Sequence, residues 1–231
     1  MHNRLVSCYH EIPRDGKVLD VGCANFRQPE LARESGHQEI QHYGVDYCDP
    51  EGEIPEGFCF RKADLDRQPI PFEDDMFDLV VASHIIEHIS RPIDFFGECV
   101  RVCKPGGIMY FEAPSERSLL LPGMPFEHEK FFSLSFYDDP THASRPWTPQ
   151  SLHRLARYFS CDPVEAGYLV GPWRIRWFFP LYLFYAWAKR SGKLLESYTW
   201  AALGWASFLV VRKPKEMIGK PPFRYYIPVK R

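Results

Sequence analysis

Short apolar segments and helix-like segments alternate along the chain from Lys17 to about Phe111. The apolar segments are rich in branched and aromatic side chains, which is typical of strands buried in a parallel sheet. Strands separated by helices predict a sheet covered by helices on both faces, the doubly wound α/β class. The segments with a strand pattern are residues 17–22, 42–46, 58–64, 77–83, 108–114, 166–171 and 205–213. We therefore predict a mostly parallel, seven-stranded, Rossmann-like sheet.

Three segments between these strands carry helix signals. Residues 29–36 begin with Pro and end with Gly, which favours a short helix. Residues 91–107 place apolar side chains on one helical face and end in Lys-Pro-Gly-Gly, a stop signal. Thr148 is a candidate N-cap before Pro149, so a helix is predicted from there to about Phe159.

The length of 231 residues favours a single core with an appendage. We predict one domain over residues 1–213 and a basic, Pro-rich tail over residues 214–231. Residues 115–147 lack periodicity, and a loop of that length inside a domain is typical of a lid. Residues 173–200 are predicted as an aromatic insertion in the C-terminal half.

Composition limits the class of protein and its location. Hydrophobic residues make up 45% and charged residues 25% of the chain, as in an ordinary globular protein. The 7 cysteines lack paired C-x-x-C spacing, which favours reduced thiols in the cytoplasm. We find no secretory signal pattern near Met1, and the longest apolar run, residues 177–188, is too short for a bilayer span of roughly 20 residues.

Acidic residues follow the predicted strands at the edge where an open parallel sheet binds its ligands. Strand one ends in Asp20-Val21-Gly22-Cys23-Ala24-Asn25, a turn of small residues that lets a ligand approach the backbone closely. Asp46 ends strand two, where a carboxylate accepts hydrogen bonds from the two hydroxyls of a ribose. Asp64 follows strand three and can accept from an exocyclic amine such as that of adenine. These positions predict a nucleoside ligand. An NAD-linked dehydrogenase is the rival interpretation, but the later glycines of G-x-G-x-x-G are absent.

Five motifs in order, VLDVGCAN, GVDY, KADL, IPFEDDMFDLVVASHIIEHI and KPGG, resemble those of class I S-adenosylmethionine-dependent methyltransferases. The resemblance covers roughly residues 15–115 and is nearest to small methyltransferases that act on quinones, sugars and natural products. It implies S-adenosylmethionine as cofactor and an antiparallel last strand in the sheet.

The resemblance also implies roles for particular residues. Asp20, Gly22, Cys23, Ala24 and Asn25 would surround the methionine moiety of the cofactor. The remaining cofactor residues would be Asp46 at the ribose hydroxyls, Tyr47, Asp64 and Leu65 at the adenine, and Ser83 and His84 on the sulfonium side. Ala24 and Phe26 stand where the family has glycines, so Phe26 predicts a different loop path. A non-catalytic protein that keeps the fold for binding or assembly is therefore the alternative function.

The segment Ser83–Ile89 contains H-x-x-E-H, which on a long helix is a zinc-peptidase pattern. His84 directly follows a buried strand, so we expect Glu87 and His88 to begin a short turn instead, with His88 steadying it through a hydrogen bond. The sequence accordingly predicts no metal site.

Transfer to an oxygen acceptor usually needs a general base. The candidates are His128 and His142 in the predicted lid, and His142 is preferred because Asp138 and Asp139 flank it. A plain structural role for His142 stays open. We predict O-methylation of a small molecule, or of a glycan or lipid-linked sugar, since residues 138–152 are similar to methyltransferases of polysaccharide and glycolipid synthesis.

Two segments suggest partners. Residues 173–190 place four Lys or Arg around an aromatic block, and core packing, a homodimer seam or peripheral membrane contact each explain that composition. Residues 212–231 hold seven Lys or Arg and one Glu, so this segment is either a solvated tail or a contact for anionic lipid or nucleic acid. The formal net charge of −2 argues against nucleic acid as a general partner.

Overall fold

The computed structural model describes residues 3–24, 26–50, 52–119, 121 and 135–216. Seven strands in these ranges form one sheet in the order β3-β2-β1-β4-β5-β7-β6. The strand β7 runs antiparallel to both of its neighbours, and the other pairs along β3-β2-β1-β4-β5 are parallel. The predicted doubly wound α/β fold with an antiparallel last strand is confirmed. The strands are β1 Lys17–Val21, β2 Gln41–Asp46, β3 Cys59–Lys62, β4 Phe77–Ser83, β5 Cys103–Pro114, β6 Asp162–Tyr168 and β7 Ala206–Arg212.

Helices cover both faces of the sheet. On one face α3 and α4 contribute Phe96, Cys99 and Leu152 to the larger apolar core. On the other face α1 and α2 contribute Leu5 and Ala32 to a second core. The helices are α1 Asn3–Tyr9, α2 Arg27–Glu34, α3 Pro92–Val102, α4 Pro149–Tyr158, α5 Trp173–Trp177, α6 Phe179–Ala188 and α7 Gly192–Leu203, with 3₁₀ turns at Ile86–His88, Glu116–Ser118 and Phe136–Asp138.

The strand order reverses between β1 and β4, which are neighbours in the sheet although β2 and β3 separate them in the chain. Chains that leave these two strands diverge to opposite sides and leave a crevice beyond their carboxyl ends, where open α/β sheets bind ligands. In this protein Gly22 and His84 follow β1 and β4 directly.

The helix predicted over residues 91–107 ends earlier, at Val102, and β5 begins at Cys103. Lys213 explains the early stop, because its Nζ donates to the carbonyl oxygens of Val100 and Cys103 and to the carboxylate of Asp75. A cation on the last carbonyls of a helix satisfies them and favours the helix end. That contact joins residues more than 100 positions apart, so no local sequence pattern predicts it.

The strand predicted at residues 166–171 is present as β6, but it begins four residues earlier and ends three residues earlier. Pro163 lies within it, and the pairing with β7 shifts register between Pro163 and Glu165. A proline is tolerated here because β6 is an edge strand with only one partner.

The aromatic segment forms α5, α6 and α7. Tyr182 of α6 packs against Tyr198 of α7 with ring centroids 4.7 Å apart. Most large side chains of α5 and α6 are exposed, among them Trp177 at 79%. Core packing, one of the three explanations offered by composition, is therefore wrong for these side chains. No helix in the described ranges is long and apolar enough to cross a membrane.

The predicted lid and tail lie partly outside the described residues, which lack 120, 122–134 and 217–231. The described part of the lid is fastened to the turn at Ile86–His88. The backbone N–H groups of Ala143 and Ser144 both donate to the carbonyl oxygen of Glu87, each at 3.0 Å.

Candidate functional site

A cavity of about 420 Å³ lies beyond the carboxyl ends of β1 and β4. All six of the described residues that were expected around the methionine and sulfonium end of the cofactor line it. The lining residues with predicted roles are Asp20, Gly22, Cys23, Ala24, Ser83 and His84. Asn25 lies outside the described residues.

The turn after β1 depends on Gly22, whose φ of +81° is a conformation that other residues rarely adopt. The N–H groups of Gly22 and Cys23 both donate to the carbonyl oxygen of Val45, at 2.8 and 3.4 Å. These two groups therefore hold the turn against β2. Burial raises the pKa of the Cys23 thiol to about 12, so this side chain is a neutral part of the wall.

Asp20 is a buried carboxyl group in this wall, with 6% of its surface exposed. Burial, followed by the charge of Asp46, raises its pKa to about 8, while a hydrogen bond from Gln28 and the charge of Arg27 act in the opposite direction. Asp20 has no cation as a direct partner in the part of the chain that the structure describes. It is ready to pair with a positively charged group of a ligand.

Several lining residues escaped sequence reasoning, notably Arg27, Gln28 and Glu112. Gln28 accepts a hydrogen bond from the buried hydroxyl of Tyr9 at 2.8 Å, which fixes α2 against α1. Arg27 begins α2 and supplies the positive charge that a carboxylate ligand needs. A cation at the start of the helix after a small-residue turn was the available signal for Arg27.

A second cavity of about 380 Å³ adjoins the first, since Gly22 lines both. Asp46, Tyr47, Asp64 and Leu65 all line it, so the structure brings together the residues predicted for the ribose and adenine. Asp46 uses Oδ1 to accept from the backbone N–H of Cys48 at 3.1 Å. Tyr47 is 67% exposed and leaves its ring available to a ligand.

Asp64 has local partners of its own. Oδ1 accepts from the backbone N–H of Asp66 at 3.1 Å, and Oδ2 lies 3.5 Å from Nε of Arg67. An adenine amine would therefore bind in exchange for the exposed Arg67.

Phe26 adopts a left-handed backbone conformation, with φ 48° and ψ 41°, at the N-cap of α2. Its ring packs edge-on against Phe58, with centroids 4.8 Å apart. Residues on both sides of Phe26 line the first cavity, and Phe26 is not among the described residues of that lining. The expected change of loop path therefore leaves the cavity open.

His84 bridges two buried carboxylates. Its Nδ1 lies 3.3 Å from Glu87 Oε1, and its Nε2 lies 3.1 Å from Glu112 Oε1. Desolvation lowers the pKa of this imidazole, but the hydrogen bonds to Glu112 and Glu87 outweigh it and raise the pKa to about 10. His84 is thus a cation at neutral pH, and it links Glu87 and Glu112 rather than acting as a base.

Replacing His84 with Gln should destabilise the protein by about 2 kcal/mol near pH 6.5, because Glu87 and Glu112 lose their cation. This is less than for a fully buried pair, since the His84 side chain is 39% exposed. A raised histidine pKa contributes stability that is complete below the unfolded value and is lost as pH rises through about 10. Urea unfolding at several pH values should show the gap between wild type and variant narrowing from pH 6.5 to 10. His153→Gln, on an exposed face of α4, is the control, and a gap that stays constant with pH would contradict the bridge.

Neither of the two predicted general bases is placed in a cavity by the described part of the structure. His128 lies outside the described residues. His142 lines neither cavity among the described residues, and its Nδ1 bonds the carbonyl oxygen of Phe136 at 2.6 Å. Asp139 Oδ2 lies 3.8 Å from Nε2, so the carboxylate stands at the nitrogen that a base would use rather than behind the ring. The role of His142 as a base stays a prediction.

The zinc-peptidase arrangement is absent from the H-x-x-E-H segment, whose residues are all described. His84 follows β4, and Glu87 and His88 lie in a 3₁₀ turn, so no long helix presents the two imidazoles together. The predicted steadying bond of His88 is present, with Nδ1 2.9 Å from Thr141 Oγ1.

Known proteins resemble this chain in sequence and in fold. Residues 19–111 match the family described as methyltransferase domain. The ubiquinone biosynthesis O-methyltransferase of Roseobacter denitrificans is 23% identical over 168 residues, 70% of this chain and 66% of that protein. The phthiotriol/phenolphthiotriol dimycocerosates methyltransferase 1 of Mycobacterium ulcerans is 30% identical over 120 residues, 46% of this chain and 42% of that protein. The matches thus span less than two thirds of these two curated relatives. A SAM-dependent methyltransferase from Archaeoglobus fulgidus has the same fold, with a TM-score of 0.61, 21% identity and coverage of 92% of this chain and 91% of that one.

Proposed function

We propose that this chain is a class I S-adenosylmethionine-dependent methyltransferase, and that it catalyses methyl transfer from S-adenosylmethionine to a hydroxyl group of a small molecule or of a lipid-linked glycan. The observation that supports this proposal most directly is the pair of cavities that meet at Gly22. One has the acidic and basic groups suited to an amino acid, and the other has the carboxylate suited to a ribose.

The charges in the two cavities fit the cofactor. S-adenosylmethionine carries an ammonium and a sulfonium cation, and the lining includes the carboxyl groups of Asp20, Glu112, Asp46 and Asp64. Arg27 at the start of α2 is the group suited to the single carboxylate of the ligand. A cavity in which acidic groups outnumber basic ones favours a ligand with two cationic groups and one carboxylate.

When bound, S-adenosylmethionine supplies a methyl group that is already activated by the sulfonium. The protein's task is then to align an acceptor and to exclude water. Asp20 and Arg27 hold the amino-acid end, and Asp46 fixes the ribose. The bridge from Glu87 through His84 to Glu112 keeps a rigid wall between those two anchors.

O-methylation is the reaction we propose, in agreement with the name of the Roseobacter relative. Incubation with isotopically labelled methyl donor and with hydroxyl-bearing acceptors, among them catechols and lipid-linked sugars, should give labelled product and S-adenosylhomocysteine. Binding of the donor without any product from acceptor mixtures or cell extracts would favour the alternative of a non-catalytic binding protein.

We further propose that α5 and α6 hold the protein against an anionic membrane surface, where a lipid-linked acceptor is found. The segment 173–190 contains four Lys or Arg and no acidic residue, and its aromatic side chains are exposed. Exposed aromatics flanked by basic residues are typical of helices that lie in a membrane interface. The segment packs on α7 through Tyr182 and Tyr198, and Trp205, two residues after α7, lies 5.5 Å, ring to ring, from His84.

The double variant Trp177→Ser, Trp187→Ser should lose at least half of its binding to vesicles of phosphatidylcholine and phosphatidylserine in a flotation assay. Both side chains are more than half exposed, so the fold should tolerate the change. Tyr137→Ser, at an exposed ring elsewhere, is the matched control. Absence of vesicle binding by the wild type, together with a dimer in sedimentation that the double variant dissociates, would assign this face to a homodimer seam instead.

A further inference from the structure

Glu87, His88 and His142 form a cluster beside the second cavity. One ligand-type atom from each lies within 4.8 Å of the others. Glu87 and His88 belong to the 3₁₀ turn after β4, and His142 lies in a segment without helix or strand before α4. The proposed methyl transfer uses Glu87 only through its contact with His84, and it gives His88 no role.

The hydrogen bonds of His88 determine which of its nitrogens is free. The hydroxyl of Thr141 donates to Asp139 Oδ1 at 2.6 Å, so its oxygen accepts from His88 Nδ1 at 2.9 Å. Nδ1 of the neutral ring therefore carries the proton, and Nε2 carries the lone pair. Metal-bound histidines are held in the same way, by a hydrogen bond from the ring nitrogen that does not bind the metal.

His142 reaches the same state by a different contact. Its Nδ1 lies 2.6 Å from the carbonyl oxygen of Phe136, which can only accept, so Nδ1 carries the proton. The Nε2 lone pair is thus presented next to His88, whose ring centroid is 4.9 Å away. Nε2 is thus the nitrogen of each ring that can bind a cation.

Glu87 adds an independent sign of a ligand. Its side chain is 1% exposed. Oε1 pairs with His84, whereas Oε2 is buried and has no hydrogen-bond partner among the described residues. A buried carboxylate oxygen without a partner is costly, and native proteins rarely leave one unless something binds there.

We propose that Glu87, His88 and His142 bind one divalent transition-metal ion, with Zn²⁺ as the ion that two imidazoles and one carboxylate suit best. With bonds of about 2.1 Å, ligand atoms in a tetrahedral site lie about 3.4 Å apart. The present separations, up to 4.8 Å, therefore need to shorten by at most about 1.4 Å. A fourth position is left for water or for Asp139, whose Oδ2 lies 3.8 Å from His142 Nε2.

This site differs from the zinc-peptidase reading of the same motif. His84 is not a ligand, because both of its nitrogens pair with carboxylates. The ion would instead link the segment that carries His142 to the turn after β4. His88 and Thr141 both line the second cavity, so the linked segment forms one wall of the proposed nucleoside site.

Zn²⁺ titration by calorimetry on the full, chelator-treated chain tests the proposal, with Co²⁺ as a second probe because its absorption spectrum reports tetrahedral nitrogen and oxygen ligands. We expect one ion per chain, a rise in melting temperature with added Zn²⁺, and at least a 100-fold weaker affinity in His88→Gln and in His142→Gln. Two controls should bind the ion as the wild type does. One is His153→Gln on α4, and the other is His37→Gln, which breaks the contact between the neighbouring rings of His10 and His37.

Circular dichroism on the metal-free variants separates lost binding from lost folding. Folded variants that keep the wild-type affinity would overturn the proposal, as would a wild type that binds no stoichiometric ion or loses it in His37→Gln. If both histidine variants fail to fold, Glu87→Gln tests metal binding instead, since it keeps the shape of the side chain. The cobalt spectrum should change from tetrahedral in this variant, and an unchanged spectrum would equally overturn the site.

Discussion

Replacement of Asp46 with Ala should weaken the binding of S-adenosylmethionine by at least about 100-fold. Asp46 ends β2 and lines the second cavity, and Oδ1 already accepts from Cys48, which points the carboxylate along a fixed direction. Two hydrogen bonds from ribose hydroxyls to a carboxylate contribute about 1.5–3 kcal/mol each, and 1.4 kcal/mol is a factor of ten. Titration calorimetry with S-adenosylmethionine and S-adenosylhomocysteine measures both affinities.

The control for this experiment is Asp49→Ala, which removes an exposed carboxylate three residues along that pairs with the exposed Lys62 at the surface. It should bind the nucleoside as the wild type does. Equal affinities of Asp46→Ala and the wild type would remove the ribose assignment, and with it the proposed function.

Replacement of Asp20 with Asn should stabilise the free protein while it destroys the cofactor site. The pKa of this carboxyl is raised from 3.8 to about 8 by burial and by Asp46. The unfolded chain therefore loses the proton near pH 4, whereas the folded chain keeps it until about pH 8. A raised carboxyl pKa of this kind costs stability as pH rises through that window, on the order of 4 kcal/mol at pH 7.

Thermal unfolding of the wild type and of Asp20→Asn at pH 4, 6 and 8 shows which of the two proteins is more stable at each pH. The melting temperature of Asp20→Asn should equal that of the wild type near pH 4 and exceed it increasingly up to pH 8. The same variant should bind S-adenosylmethionine at least 10-fold more weakly, because the neutral amide cannot pair with the ammonium. A variant less stable than the wild type at pH 8 would show that Asp20 is ionised and satisfied in the free protein.

The sequence predicted those parts of the molecule that depend on local patterns. The periodicity of residues 17–111 and the acidic residues at strand ends predicted the sheet, the crevice and the positions of Asp20 and Asp46 beside it. Thr148 was recognised as an N-cap for the same reason, and its side chain accepts from the N–H of Ser151 at 2.9 Å.

Contacts between distant parts of the chain were missed. The helix before β5 stops early because Lys213 reaches it from the end of β7. Glu112 was absent from the predicted site because a strand of apolar residues gives no sign that one side chain turns to His84, 28 positions earlier. Likewise, the approach of His142 to His88 depends on how a segment without regular structure folds back over the turn.

The short helix α1 gives the first cavity a property of its own. Leu5 lines that cavity, and Tyr9 ties α1 to α2 through Gln28. A helix of 7 residues has little stability by itself, so this wall persists only through its contacts with the rest of the protein. Opening of α1 by local unfolding is therefore a low-cost route for release of the amino-acid end of the donor from this cavity. Hydrogen exchange at the amides of α1 should accordingly slow when the donor is bound, even though most of those residues never touch it.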